Sequence, residues 1–165
     1  MLRPPRFGSN LSTADQERLS TDTLSQTNCA SFIPPSLYVF NASSLSKPHT
    51  TELLNAELLG CGVDVAVISE THLKKKHTNS CVNISGYTLF RRDRLCRKGG
   101  GVALYVRHSY TASEWSPVHA LEPKYELLLV KVMKDANTAF IGALYHPPVP
   151  ASVLLDHIEY AILKN

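Results

Sequence analysis

Two short apolar runs, residues 37–40 and 63–68, flank a stretch with helical spacing, and this strand–helix–strand order limits the chain more than any other feature. The second run is apolar everywhere except at Asp64, so it reads as a strand buried on both faces, the kind found in parallel sheets. Between the runs, Ser46 can cap a helix and Pro48 fits its first turn. Leu54 and Leu58, with Ala56 and Leu59, line one face, and Gly60 and Gly62 supply the stop. A helical crossover makes the two strands parallel. Asn41 then ends one strand and Glu70 follows the other, at the same rim of a sheet.

The rest of the chain extends this pattern. Residues 87–91 and 102–107 read as strands joined through Gly99, Gly100 and Gly101; residues 125–133 and 139–145 read as two more, around a turn at Asp135-Ala136-Asn137. Pro147, Pro148 and Pro150 break the chain, after which Leu154, Ile158, Ala161 and Ile162 fall on one helical face. The expected fold class is α/β with layered sheets. Residues 1–34 carry Ser, Thr, Asn and Gln with isolated apolar side chains and no sustained period, and are expected to form a disordered leader before a domain at 35–165.

Several function classes drop out early. The longest unbroken apolar run is five residues, 102–106, far short of the roughly eighteen that cross a bilayer. No apolar stretch near the N-terminus resembles a secretory signal. Cys29, Cys61, Cys81 and Cys96 form no CxxC pair, which argues against a zinc or redox motif and favours a reduced, intracellular protein.

The net charge of +3 conceals an asymmetry. From His72 to Lys98 eight basic side chains (Lys74, Lys75, Lys76, Arg91, Arg92, Arg94, Arg97 and Lys98) face a single acid, Asp93, giving +7 in 27 residues while the remainder carries −4. A basic strip on a mildly acidic body is the footprint of a surface that meets a polyanion; a solvated loop is the plainer reading.

At the rim, a carboxylate (Glu70) beside an amide (Asn41) is a reasonable start for a Mg²⁺ site, because hard cations take oxygen ligands and retain water. Each taken singly reads better as a strand-end cap or a solvated side chain. Gly99, Gly100 and Gly101 lack the Gly-Lys-Ser/Thr ending of a phosphate-binding loop and read as a turn. His72 and His77, five apart, match no zinc pattern and read as loop residues.

The segment Asn41-Ala42-Ser43-Ser44-Leu45 resembles the opening block of the endonuclease domain of non-LTR (LINE-type) retrotransposons. In the family's order there follow an apolar strand ending Ser69-Glu70-Thr71-His72-Leu73, then Gly86-Tyr87, then Arg91-Arg92-Asp93-Arg94, then Lys98-Gly99-Gly100-Gly101-Val102, and finally Tyr145-His146-Pro147-Pro148. These blocks run in order from Asn41 to Pro148. The resemblance implies the endonuclease/exonuclease/phosphatase superfamily, a four-layer α/β sandwich that hydrolyses phosphodiesters with Mg²⁺. It implies Glu70 as a metal ligand, Asn41 as a polar partner close to the metal, and Tyr145 as a hydroxyl donor to the scissile phosphate. DNA would be the substrate, and a reverse transcriptase portion of the intact element the partner, in the nucleus. No membrane and no small-molecule cofactor are implied.

The departures matter as well. Ser43 stands where such elements commonly carry Arg, and His146 replaces the Arg after the tyrosine. Neither the Gly-Asp-Phe-Asn block nor the closing Ser-Asp-His occurs; Asp156-His157 lacks the preceding Ser and falls in the last helical stretch. The chain is therefore expected to be the N-terminal portion of such a domain, a partial sandwich inactive alone. A non-catalytic nucleic-acid-binding remnant, or an inactive gene fragment, is the alternative. A phosphoesterase acting on small molecules or lipids fits the basic strip less well.

Overall fold

A computed structural model describes residues 33–95, 98–115, 126–145, 155, 156 and 158–160. The expected leader at 1–34 lies outside these except for its last two residues, as do Arg97 and the segment 146–154. Among the described residues no helix is long and apolar enough to cross a membrane.

The two apolar runs form strands β1 (Leu37–Asn41) and β2 (Val65–Ser69), paired in parallel with Asn41 opposite Ser69. Helix α1 (Thr50–Gly60) makes the crossover. Asp64, the polar gap in the second run, accepts the Ser36 N–H and hydroxyl, both at 2.9 Å, and so ties the two strand starts together. Burial works to raise its carboxyl pKa, but these bonds, with the Arg107 charge and the Tyr110 hydroxyl, hold it below the ordinary value.

The helix begins later than its sequence signals indicate. Its N-cap is His49, in a left-handed conformation, because the Ser46 hydroxyl lies 2.8 Å from that of Ser44 and is used in the preceding turn. Only Leu54 and Leu58 are buried; Ala56 and Leu59 stay outside. At the C-terminal end Gly62, at φ 62°, turns the chain so that the Val63 N–H returns to the Leu58 carbonyl at 3.1 Å.

Strands β3 (Tyr87–Arg92) and β4 (Val102–Arg107) complete the first sheet, in the order β1-β2-β4-β3 with β4 antiparallel to both neighbours. The second sheet holds β5 (Thr111–Glu114), β6 (Glu126–Lys134) and β7 (Asn137–Tyr145), all antiparallel. Strand β5 has no apolar signal in sequence; it is a short, polar edge.

The central strands of the first sheet, β2 and β4, are largely buried on both faces. Ala66, Ile68, Ala103 and Tyr105 pack with Leu54 and Leu58 of the helix, while Val65, Val102, Leu104 and Val106 pack against Leu128, Val130, Val132, Ile141 and Ala143 of the second sheet. Helix on sheet on sheet accounts for three layers of the expected four. Truncating Leu58 to alanine would cost about 2–5 kcal/mol, given its complete burial. Among the described residues the layering is incomplete on one flank. Strand β7 lies against β2 and β4, so β1 projects past the edge of the second sheet. Val39 pairs in register with Val67, shares its inward face, and is nevertheless 73% exposed.

Candidate active site

The pairing registers place the ends of six strands at one rim. Asn41 is opposite Ser69, Ser69 opposite Val102, and Val102 opposite Arg92, while in the second sheet Glu126 is opposite Tyr145. The two sheets are joined at this rim by hydrogen bonds from Arg94 Nε and from the Gly101 N–H to the Glu126 carboxylate. Asn41, Glu70 and Tyr145 therefore stand at the same end of the sandwich, although they come from strands in different sheets.

The backbone around the first two is unusual. Ser43, Ser44, Glu70 and His72 all have positive φ, at 44°, 105°, 51° and 53°. Left-handed non-glycine residues cost on the order of 1–3 kcal/mol each, and they cluster where function demands a particular direction. The segments carrying them are laced together: the Ser44 N–H reaches the Glu70 carbonyl at 2.9 Å and the Leu45 N–H the Thr71 carbonyl at 2.8 Å. Asn41 Oδ1 accepts the Ser43 N–H at 3.0 Å and the Ser43 hydroxyl at 3.4 Å, which fixes the amide's orientation. Glu70 Oε2 lies 3.9 Å from His72 Nε2.

His72 lies in a loop, as read from sequence, but at the rim end of it beside Glu70. His77 belongs to the loop, where its Nδ1 accepts the Lys74 N–H at 3.0 Å. An amide and a carboxylate oxygen suit Mg²⁺ in kind. Among the described residues no group of three or more His, Cys, Asp or Glu is placed to hold a metal, so an ion there would complete its shell with water or substrate.

Tyr145 is half-buried at the end of β7, packed against the inter-sheet core, with the Arg94 guanidinium carbon 4.9 Å from its ring centre. The third member of this group, Glu126, is 4% exposed. Sequence reasoning missed it, because its partners are 25 and 32 residues away. A carboxylate opening a strand directly before the apolar run 127–130 was the available signal.

The basic strip divides. Lys74, Lys75, Lys76 and Lys98 are exposed. Arg91 pairs with Asp93, Arg92 lies 3.7 Å from Glu114, and Arg94 pairs with Glu126. Arg97 lies outside the described residues, as does His157; Asp156 is exposed on a helical segment.

No family model matches the chain, and no curated protein matches it in sequence. Solved structures do. The endonuclease domain of TRAS1, a telomere-specific non-LTR retrotransposon, matches at a TM-score of 0.56 and 18% identity over 77% of this chain and 54% of that one. The AP endonuclease LMAP from Leishmania major matches at 0.53 and 16%, over 82% and 47%. The D. rerio protein TDP2, solved with a single-strand DNA product, matches at 0.51 and 15%, over 76% and 54%. The chain has the endonuclease/exonuclease/phosphatase fold, and it spans about half the length of the solved chains it matches.

Proposed function

We propose that this chain supplies one part of a phosphodiesterase site of the retrotransposon endonuclease type, with DNA as its substrate. The observation carrying the proposal is that Asn41 and Ser69, the residue before Glu70, are register partners at the ends of neighbouring parallel strands, on a rim that Tyr145 shares. The structural neighbours are nucleases and related phosphodiesterases, which supports a nuclease-type reading. Glu70 and Asn41 would hold a Mg²⁺ ion, which when bound offsets charge on the phosphate oxygens. The Tyr145 hydroxyl would donate to a phosphate oxygen, and a fixed donor of this kind acts by orienting the group before reaction. Lys74, Lys75, Lys76 and Lys98 would follow the DNA backbone as point charges. In an intact element of this type the nick would serve a reverse transcriptase in the nucleus.

A second reading is a nucleic-acid-binding remnant without catalysis, which the exposed Lys74, Lys75 and Lys76 suit equally. The sequence offers no carboxylate in the family's pattern to orient attacking water. Groups that act as a unit are lost as a unit. The chain alone is therefore expected to bind DNA and Mg²⁺ but to nick supercoiled plasmid no faster than its Glu70→Ala variant. Mg²⁺ titrations followed by NMR should move the Glu70 and His72 amides, and should not do so in Glu70→Gln. Absence of that response in the wild type would sink the metal-site reading; nicking well above the Glu70→Ala control would show a complete site and remove the second reading.

A further inference from the structure

Glu126 is the one buried charged residue among those described, and both of its oxygens leave its own sheet. One accepts from Arg94 Nε and the other from the Gly101 N–H. The Gly101 carbonyl in turn accepts the Thr71 N–H at 3.2 Å, and the Gly100 carbonyl accepts the His72 N–H at 2.9 Å. Thr71 and His72 are the two residues after Glu70, so the glycine segment grips the backbone that sets the Glu70 side chain. On the other side, Arg94 rests on the ring of Tyr145, which faces Glu126 across the β6–β7 register.

We infer that Glu126 is a positioning residue for this rim: through Gly101 it fixes the backbone that aims Glu70, and through Arg94 it seats the ring of Tyr145. The inference rests on Glu70 and Tyr145 being the site, as proposed above. Stability alone is a poor reason for the arrangement, since a well-packed apolar pair often replaces a buried ion pair at no cost. A carboxylate holding two donors from separate segments does what an apolar pair cannot, because it specifies their directions. The glycines fit the same account. A Cβ on Gly100 would stand 2.6 Å from Glu126 Oε2, and one on Gly101 would stand 2.5 Å from Thr71 Oγ1, at φ values of 69° and 83°. The segment read from sequence as a simple turn is thus shaped to let Glu126 and Thr71 close on it.

The test uses the full 165-residue chain, isotope-labelled for NMR. Glu126→Gln keeps size and one oxygen but removes the charge. The Gly101 amide proton, bonded to a carboxylate in the wild type, should move upfield; the Tyr145 ring signals should shift; and Mg²⁺ affinity read at the Glu70 and His72 amides should fall about tenfold to a hundredfold, as for lost supports of metal ligands. Arg94→Lys breaks only one arm: Tyr145 should respond while Gly101 does not. A Gln variant whose Gly101 amide moves while Mg²⁺ affinity and Tyr145 stay at wild-type values would overturn the inference, leaving Glu126 a local tie. So would an Arg94→Lys variant with an unchanged Tyr145 ring, which covers the case of a Gln variant that does not fold. If the wild type takes no Mg²⁺ at Glu70, the proposed function fails, yet the Gly101 and Tyr145 responses still decide the positioning role.

Discussion

Arg91 holds the Asp93 carboxylate at 3.1 Å, with both side chains only 14% exposed, and its guanidinium also donates to the His77 carbonyl at 2.7 Å. That pair changes the meaning of the basic strip. Three of its arginines are engaged by acids of the same chain, so their charge is largely internal, while Lys74, Lys75 and Lys76 present theirs to solvent.

Lysine and arginine substitutions should therefore separate. Replacing Lys74, Lys75 and Lys76 by alanine should flatten the log–log salt dependence of duplex DNA binding by up to about three units, near 0.9 for each phosphate no longer neutralised. Arg91→Ala should leave that slope nearly unchanged and lower thermal stability instead, by roughly 1–3 kcal/mol, because Asp93 is left without its partner. Equal slopes in the lysine variant and the wild type would mean that the strip meets no polyanion.

Tyr105 sets an alkaline limit. Its ring is fully buried, its hydroxyl donates to the Val82 carbonyl at 2.8 Å, and burial pushes its pKa up to about 12. The raised value means that the fold favours the protonated phenol, so this contribution is intact below the unfolded-state value near 10 and is lost as pH rises from there towards 12. The loss amounts to about 3 kcal/mol at 1.36 kcal/mol per unit. Denaturant melts between pH 8 and pH 12 (roughly spanning the two values) should show this decline, and Tyr105→Phe should lack it.

Much of this fold could be read from residue patterns, and the reasons are local. The run 65–68 is apolar at every position because both its faces are buried, and the 50–60 stretch carries Leu54 and Leu58 one turn apart because only one face is. Strand β5 could not be read that way: Thr111, Ala112, Ser113 and Glu114 carry no apolar alternation, and an edge pairs through its backbone. The start of the helix was displaced because a serine can spend its hydroxyl on a neighbouring serine, a choice made in three dimensions. Asn41 and Glu70 could be named because one ends and the other follows a strand, and Tyr145 because its block resembles that of a known family. Glu126 and the pairs Arg92–Glu114 and Arg94–Glu126 could not, since pairings between residues far apart in the chain leave no period behind.

Two glycines should respond oppositely to alanine. At Gly100 a methyl group meets the Glu126 carboxylate and the Arg94 guanidinium at a left-handed φ, so Gly100→Ala should destabilise by roughly 1–3 kcal/mol. Gly60 has no neighbour within 4 Å of where a Cβ would stand and ends a helix, so Gly60→Ala should be neutral or stabilise by up to about 1 kcal/mol. Thermal melts of the two variants side by side decide the point, and equal shifts would contradict it.

Asp64 should govern the acid limb. Because its pKa is held down in the fold, its contribution is present above the unfolded carboxylate value near 4 and fades as pH falls through the lower folded value. Stability measured from pH 6 downward (starting well above both values) should fall less steeply in Asp64→Asn than in the wild type.

The projecting strand β1 has a thermodynamic meaning beyond its geometry. Leu37 and Val39 follow the inward face of Val65 and Val67, yet both stand in water. Burying side chains of this size is worth about 1.5–3 kcal/mol each, and here that free energy remains unrealised. Any molecule that covers the flank would release it, and by mass action would raise the melting temperature in proportion to the logarithm of its concentration. Folding and association are then parts of a single equilibrium, and the stability of this chain is a function of its surroundings as much as of its sequence.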